Sequence, residues 1–190
     1  MASYNTPREF AVMAPARDPR WMIALLVALP ELLLFAVVLV VLGHARAVPT
    51  ALQSSLPVQS LIAVPMAIIF FFVTFLLWWA VQRRRIVLAN GELDITATFY
   101  RRKLPIAALD LGKARIINLD EHSEWRPFIK TNGMGLPGLR AGWFRSRGLV
   151  KLFCLLTTRD RVLVLPESSG GATLLSVANP SGLLDALRNG

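Results

Sequence analysis

Two long runs of apolar residues dominate the first half of the chain. Residues 21–43 read WMIALLVALPELLLFAVVLVVLG, and residues 58–81 read VQSLIAVPMAIIFFFVTFLLWWAV. Each run exceeds the roughly 18–20 apolar residues that a helix needs to cross a hydrocarbon core. A helix inside a globular core seldom stays apolar on every face for so long. The pattern therefore predicts two transmembrane helices, arranged as a hairpin over residues 21–85.

After residue 85 the pattern changes to short alternating segments. Ile86–Ala89 and Glu92–Ala97 flank Asn90-Gly91, a pair typical of a tight hairpin turn. Asn179-Pro180 has the residues of a helix N-cap and first turn, and it predicts a C-terminal helix. We expect a mainly antiparallel barrel or pair of sheets closed by this helix. Further strands are predicted at Phe99–Leu104, Ala114–Leu119, Pro127–Thr131, Gly142–Arg147, Leu149–Thr158, Arg161–Pro166 and Ala172–Val177.

The positive charges around the apolar runs predict an orientation. Arginines precede the first run and follow the second, whereas Arg46 is the only base in the connecting loop 44–57. Lys and Arg favour the cytoplasmic side of a membrane. The predicted protein is therefore a multi-pass membrane protein, with a cytoplasmic leader over 1–20, an external loop and a cytoplasmic domain over 86–190. Both termini are expected in the cytoplasm.

The composition suits a membrane protein with a basic domain. The 190 residues are 54% hydrophobic and 17% charged, with a mean hydropathy of +0.51 and a formal net charge of +9. Nearly all of the positive surplus lies after residue 82. Such a domain is attracted to an anionic bilayer or to nucleic acid. The bases are scattered and form no recognisable nucleic-acid motif, so the lipid bilayer is the expected partner.

The segment TNGMGLPGLRAGWFR, residues 131–145, matches the glycine spacing of a dinucleotide-binding fingerprint. That fingerprint needs a strand before it and a helix opening after it, so that backbone amides meet the pyrophosphate. Pro137 interrupts the segment, and the residues after it have no helical pattern. The glycines are therefore predicted to let the chain turn and re-enter a sheet, with Gly142 allowing a close backbone approach. No cofactor is expected.

The strands around EWRPFIKTNGMGLPGLRAGWFR, followed by TTRDRVLVLP and the Asn-Pro helix, resemble the bacterial pleckstrin-homology-like domains. The resemblance covers about residues 86–190, and a membrane hairpin commonly precedes such domains, which implies a multi-pass protein of a bacterial inner (cytoplasmic) membrane. Lys130 stands where arginine is more common. The resemblance implies a seven-stranded partial barrel capped by a C-terminal helix, and little about activity. The matching motif positions are Gly133, Gly135, Leu136, Pro137, Gly138, Gly142, Phe144 and Arg145.

These observations predict an α+β membrane protein, with two transmembrane helices followed by a mainly antiparallel β, pleckstrin-homology-like domain. No catalytic or metal-binding pattern is recognisable beside this fold. His122 among loop carboxylates falls short of a metal site, and the single cysteine, Cys154, suits an apolar core. The chain lacks a nucleophile elbow, a phosphate-binding loop and a zinc-protease helix. We expect a protein that is not an enzyme and holds no metal.

Glu31 and two groups of bases are the candidate functional residues. Glu31 would lie near mid-bilayer, at a cost of about 2.5–3.5 kcal/mol. It either contacts a partner helix or is protonated and bonded to a carbonyl freed by Pro30. The first group of bases is Arg83, Arg84 and Arg85, and the second is Arg101, Arg102 and Lys103. Both groups are candidate contacts to lipid phosphates. The alternative for the first group is a topogenic role, and the alternative for the second is a solvated strand end.

The function predicted from these features is that of a membrane-anchored, non-enzymatic interaction module. It would bind an unidentified membrane or cytoplasmic protein, or a second copy of the chain as a homo-oligomer. One alternative is recognition of anionic lipid headgroups by the basic face. Another is an accessory subunit of a membrane transporter or enzyme complex, docked through Glu31.

Overall fold

The computed structural model describes residues 7–15, 21, 25, 29–33, 36, 40 and 56–189, without the side chains of 56–64, 67 and 77. The chain divides into two compact units. One comprises residues 1–19 and 81–190, and is called the β unit below; the other comprises residues 20–80. Most of the first apolar run and most of the loop 44–57 lie outside the described residues.

The unit of residues 20–80 is helical wherever the structure describes it. Helix α1 (Leu56–Gln82) contains Pro65, and its last two residues are assigned to the β unit. The Thr74 hydroxyl donates a hydrogen bond of 2.8 Å to the Phe70 carbonyl one turn earlier. Large apolar side chains are exposed along the described part of α1, among them Met66, Ile68, Ile69, Phe71, Phe72, Phe75 and Trp79.

The structure contradicts the predicted transmembrane hairpin. A helix that crosses a membrane needs a continuous apolar stretch of about 18–20 residues. Over the residues that the structure describes, no helix offers the combination of length and apolar character required. The prediction was inferred from the length of two apolar runs in the sequence, whereas a span also requires a helix that is both long enough and apolar enough. The α+β membrane fold class and the multi-pass inner-membrane localisation are corrected accordingly: the described fold is mostly β-sheet, in two sheets.

The first sheet of the β unit has four antiparallel strands in the order β1-β2-β3-β4. The turn between β2 and β3 places Asn90 and Gly91 at φ values of 52° and 72°, which confirms the predicted Asn-Gly hairpin. Strand β1 comes from the N-terminal segment and pairs with β2, with Arg8 opposite Leu88. The strands are β1 (Arg8–Phe10), β2 (Arg84–Ala89), β3 (Glu92–Ala97) and β4 (Tyr100–Pro105).

The second sheet has six strands in the order β5-β9-β10-β8-β7-β6. Neighbouring strands are antiparallel except β8 and β10, which run parallel. Strand β6 therefore lies at one edge of the sheet and β5 at the other. The strands are β5 (Arg115–Ile117), β6 (Ile129–Leu136), β7 (Leu139–Arg145), β8 (Lys151–Leu156), β9 (Val162–Pro166) and β10 (Ala172–Leu175), with short 3₁₀ turns at Ile106–Ala108 and Ser123–Trp125.

The centre of the second sheet is buried on both faces. Phe144 and Cys154 belong to a buried cluster on one face. On the other face the rings of Trp143 and Phe153 meet edge to face at 5.1 Å. Such alternation follows from the two-residue period of a strand. The central strands thereby join the two layers of the core.

A helix closes the chain, as predicted. Helix α2 (Pro180–Arg188) buries Leu183, Leu184 and Leu187. The Asn179 side-chain oxygen accepts a hydrogen bond of 2.9 Å from the Gly182 amide, which satisfies one of the unpaired N–H groups of the first turn. The described residues form ten strands in all, against the seven implied by the resemblance to pleckstrin-homology-like domains.

Candidate functional site

The glycine-rich segment forms a β-hairpin. Strands β6 and β7 pair with Leu136 opposite Leu139, and Pro137-Gly138 makes the turn between them. Gly138 has a φ of 78°, a conformation that suits glycine, and Pro precedes it as in a type II turn. The segment leads into a strand rather than a helix. The hairpin therefore lacks the helix N-terminus against which a dinucleotide site places its pyrophosphate.

Two glycines, Gly133 and Gly142, face each other across the β6–β7 pair. A Cβ on Gly142, whose φ is +100°, would stand 2.8 Å from the Asn132 carbonyl oxygen. A Cβ on Gly133 would stand 2.9 Å from both the Ala141 carbonyl oxygen and the Phe144 ring. Around Gly135 nothing lies within 4 Å of a Cβ. The close packing of the hairpin therefore depends on Gly133 and Gly142 and not on Gly135.

Strand β6 is the outer strand of its sheet and is exposed at its start. Its first four residues, Ile129 to Asn132, are all exposed. A bulge between Lys130 and Asn132 places Thr131 as the extra residue, and its hydroxyl donates to the Trp143 carbonyl at 3.1 Å. An outer strand directs alternate backbone N–H and C=O groups away from its sheet. The described strands thus leave one edge of β6 open for pairing.

Three large apolar side chains are exposed beside the start of β6. Phe128 is 65% exposed, Ile129 44% and Leu149 59%. The Phe128 amide donates a hydrogen bond of 2.8 Å to the Arg145 carbonyl, which holds Phe128 against the end of β7. Clustered apolar exposure of this kind is typical of an interaction surface.

Basic side chains surround these apolar residues. The Arg147 guanidinium carbon lies 5.5 Å from the centre of the Phe128 ring, and Arg145 Nη1 donates to the Leu149 carbonyl at 3.3 Å. Lys130, on β6, pairs opposite Phe144. None of these three bases forms an ion pair with a carboxylate in the described part of the chain. We call these residues, which flank the start of the β6 edge on both faces of the sheet, the edge patch; it comprises Phe128, Ile129, Lys130, Arg145, Arg147 and Leu149.

The three consecutive bases of β4, predicted as a lipid or anion contact, do not share one surface. Arg101 and Lys103 are exposed on one side of the strand, and Arg102 lies on the other. Arg101 Nε donates to Asp94 Oδ1 on the neighbouring strand at 3.0 Å. Arg101 is therefore already paired with a carboxylate. Contact of these bases with lipid stays a prediction.

Arg102 lies at the centre of a network that joins the two sheets. Its guanidinium binds the Glu167 carboxylate through two hydrogen bonds of 2.7 and 2.8 Å, and also donates to the Thr173 hydroxyl at 3.0 Å. The side chains of Arg102 and Glu167 are only 17% and 6% exposed. The Arg102 guanidinium also lies 4.5 Å from the centre of the Trp143 ring. This arrangement gives Arg102 a structural role inside the β unit.

The other predicted basic group, Arg83 to Arg85, lies at the start of β2. Arg85 binds the Glu9 carboxylate of β1 through hydrogen bonds of 2.9 and 3.0 Å between two exposed side chains. The Arg83 carbonyl accepts a hydrogen bond of 2.8 Å from the Thr98 amide. Arg84 is partly buried within β2. Their proposed contact with lipid phosphates also stays a prediction.

The remaining candidates show no reactive arrangement. His122 Nδ1 lies 3.3 Å from Glu124 Oε1 in an exposed loop, and the described residues contain no cluster of three or more His, Cys, Asp or Glu that could hold a metal. Burial raises the pKa of the Cys154 thiol, which keeps it protonated and unreactive. Glu31 is helical and partly buried, and its Oε1 has no hydrogen-bond partner among the described residues.

The Asp94–Arg101 pair predicts a pH dependence of stability. The hydrogen bond that Arg101 donates to Asp94 lowers the pKa of the Asp94 carboxyl below its ordinary value of 3.8. A carboxyl whose pKa is lower in the folded state contributes stability above the unfolded pKa and loses it as the pH falls through the folded value. Asp94→Asn should therefore make the acid-induced loss of stability below about pH 4 less steep. Thermal unfolding of the full chain at a series of acidic pH values tests this; equal slopes in both proteins would contradict it.

The chain matches no family model, no curated protein and no solved structure. The resemblance to bacterial pleckstrin-homology-like domains therefore stays a prediction. A function has to be argued from the geometry of the β unit itself.

The apolar half of the edge patch was missed in the sequence, although one signal was available. Phe128 and Ile129 are consecutive, and consecutive strand residues point to opposite faces. Both can be buried only if the sheet is covered on both sides at that point. An aromatic and a β-branched residue side by side, directly before Lys130, therefore indicate an exposed apolar group at a strand start.

Proposed function

We propose that the protein is a non-enzymatic interaction module that binds an acidic, extended segment of a partner protein along the outer edge of β6. One observation carries this proposal. The edge patch combines an open strand edge with exposed apolar side chains and with bases that have no carboxylate partner among the described residues. Each of these three properties complements a different part of an extended acidic peptide.

The open edge supports recognition by strand addition. A peptide that pairs with β6 would become a seventh strand of the second sheet, and its main chain would satisfy the outward N–H and C=O groups. Phe128, Ile129 and Leu149 provide apolar anchor points for side chains of the added strand. Lipid has no backbone groups to pair with a strand edge, so this feature favours a polypeptide partner.

The charge of the patch favours an acidic partner over a second copy of the chain. In a two-fold symmetric contact through the edge patch, Lys130, Arg145 and Arg147 would face the same bases of the other copy. Like charges placed opposite each other oppose association, whereas acidic side chains would steer the partner and accelerate binding. The net charge of +9 acts in the same direction.

Selection from a displayed library of random decapeptides on the immobilised full-length protein tests the proposal. The selected peptides should be rich in Asp and Glu alternating with apolar residues. Reversing two charges, as in Arg145→Glu/Arg147→Glu, should weaken their binding by about 10- to 100-fold, which corresponds to roughly 1.4–2.7 kcal/mol. Lys103→Glu/Arg161→Glu is the matched control, because it reverses two exposed bases outside the patch that also form no ion pair with a described carboxylate, and it should leave binding unchanged.

Two outcomes would contradict the proposal. Equal binding of the selected peptides to the patch variant and to the control variant would show that the peptides do not bind at the edge patch. The second outcome is that no peptides are selected, while the protein binds phosphatidylglycerol vesicles and the patch variant does not. The ligand of the edge patch would then be an anionic lipid headgroup and not an acidic segment of a protein.

A further inference from the structure

A cleft of about 490 Å³ lies in the β unit and shares no residue with the edge patch. Four segments line it: residues 119–120, residues 126–127, the β6–β7 turn at 136–140, and the β8–β9 connection at 156–160. Its volume falls within the range of roughly 300–1,000 Å³ that is usual for small-molecule sites. The cleft brings together Arg126, Arg140 and Arg159, which are far apart in the sequence.

Arg140 forms the inner charged wall of the cleft. It is partly buried on β7, and its Nη1 donates a hydrogen bond of 2.8 Å to the Pro127 carbonyl. No carboxylate in the described part of the chain pairs with it. A guanidinium carries five N–H donors. The Pro127 carbonyl therefore fixes the position of Arg140 and leaves other donors for a ligand.

Arg126 adds a second partly buried base without a partner. Its side chain forms no hydrogen bond or ion pair with any described residue. Burial lowers the pKa of Arg140, and the positive charges of Arg159 and Arg126 lower it further. Repulsion between like charges, at a site partly removed from water, opposes folding unless an anion offsets it. The cleft lining carries three arginines against two carboxylates, those of Asp120 and Asp160, and so keeps a net positive charge that an anion would stabilise.

The rim and the walls define the kind of anion that fits. Arg159 at the rim already pairs with Asp120, at 3.1 Å between Nη1 and Oδ1. The deeper bases, Arg126 and Arg140, are therefore the ones available to a ligand. Beside them the wall is formed by four leucines, of which Leu136 is only partly buried and offers most of the apolar contact surface; the others are Leu119, Leu139 and Leu156. A ligand with one charged end and one apolar body would complement both zones.

We propose that this cleft binds a small organic oxyanion, a carboxylate or a phosphate monoester on an apolar body. Arg126 and Arg140 would bind the charged group, and the leucine wall would contact the body. The planar fork of a guanidinium matches both carboxylate and phosphate through paired hydrogen bonds. The proposal does not depend on the edge patch, because the cleft and the patch share no residue.

Calorimetric titration of the full-length protein with four probes at constant ionic strength tests the proposal. Benzoate and phenyl phosphate should bind, and the tighter of the two identifies the charged group. Benzyl alcohol, which has a similar body without the charge, should not bind. Inorganic phosphate, which has the charge without a body, should bind more weakly than phenyl phosphate.

Variants then assign binding to the cleft. Arg126→Gln removes no described intramolecular hydrogen bond, so the protein should fold, and it should bind the better anion about tenfold more weakly. Arg140→Lys keeps the charge and loses the fork, and should weaken binding similarly. Arg188→Gln, an arginine outside the cleft, should bind normally. Failure of both anions to bind at millimolar concentration, or equal binding to Arg126→Gln and Arg188→Gln, would overturn the proposal.

Discussion

Gly142→Ala is expected to destabilise the β unit by several kcal/mol. The backbone of Gly142 has a φ of +100°, and an added Cβ would stand 2.8 Å from both the Asn132 carbonyl oxygen and the Gly133 Cα. A strained backbone costs about 1–3 kcal/mol, and forcing atoms into a packed site costs about 1–3 kcal/mol more. Backbone atoms cannot move aside as the end of a flexible side chain can. Hydrogen exchange of the β7 and β8 amides in the full-length protein measures the loss.

The same motif provides a matched control. Gly135→Ala adds the same methyl group where nothing lies within 4 Å, so its stability should stay within about 0.5 kcal/mol of the original protein. The stability of Gly133→Ala should fall between those of the other two variants. A Cβ at Gly133 meets the Phe144 ring as well as backbone, and a side chain can move aside more easily than backbone can. If Gly135→Ala were as destabilising as Gly142→Ala, the hairpin geometry described above would be wrong.

Glu167→Gln is expected to destabilise the β unit by about 3–5 kcal/mol, because it leaves the Arg102 charge buried without a counter-charge. The pair is nearly inaccessible to water, and Arg102 holds no other carboxylate among the described residues. The Thr173 hydroxyl, which bonds both groups, cannot neutralise the charge. Urea unfolding of the full chain, with hydrogen exchange of β10 as a local probe, measures the change.

Two comparisons separate the buried charge from general disruption. Asp94→Asn breaks the Arg101 pair, whose arginine is 65% exposed, and should cost no more than about 1 kcal/mol. The double change Arg102→Met/Glu167→Leu removes both buried charges and should recover most of the stability lost in Glu167→Gln. If Glu167→Gln cost no more than Asp94→Asn, the network would not be the link between the sheets that its geometry indicates.

Local patterns predicted most of the β unit. Each of the nine strands predicted from alternation overlaps an observed strand, and the Asn-Gly hairpin and the helix after Asn179 are confirmed. The strand that was missed, β1, has only three residues, and two of them, Arg8 and Glu9, are charged. Its position depends on pairing with β2, more than 70 residues later, through contacts such as the Glu9–Arg85 ion pair. Such long-range pairing leaves no periodic signal in a short segment.

The glycine segment shows why strand boundaries were less predictable. Glycine is unfavourable in strands on average, so the segment was expected to connect two strands. In the structure both strands run through it and turn at Pro137-Gly138. The glycines are accommodated because Gly133 and Gly142 meet at a distance that side chains would prevent. Tertiary packing here overrides the local preference.

The candidate site was the least predictable feature. Arg101, Arg102 and Lys103 form one basic run in the sequence, but strand alternation places Arg102 inside and tertiary contacts pair it with Glu167. Arg126, Arg140 and Arg159 meet only because three separate segments fold together. The two apolar runs also led to a wrong prediction of membrane spans, since no described helix has the length and apolar character of a span. Charge and hydropathy along the chain do not specify which side chains become neighbours.

The proposed function requires the outer edge of β6 to pair with an acidic partner strand. Residue-resolved hydrogen exchange of the full-length protein, with and without a selected acidic peptide, tests this pairing most directly. The outward-facing amides of β6 between Ile129 and Leu136 should gain protection, because they acquire carbonyl partners on the peptide. Protection confined to other parts of the β unit, with the β6 amides unchanged, would contradict it.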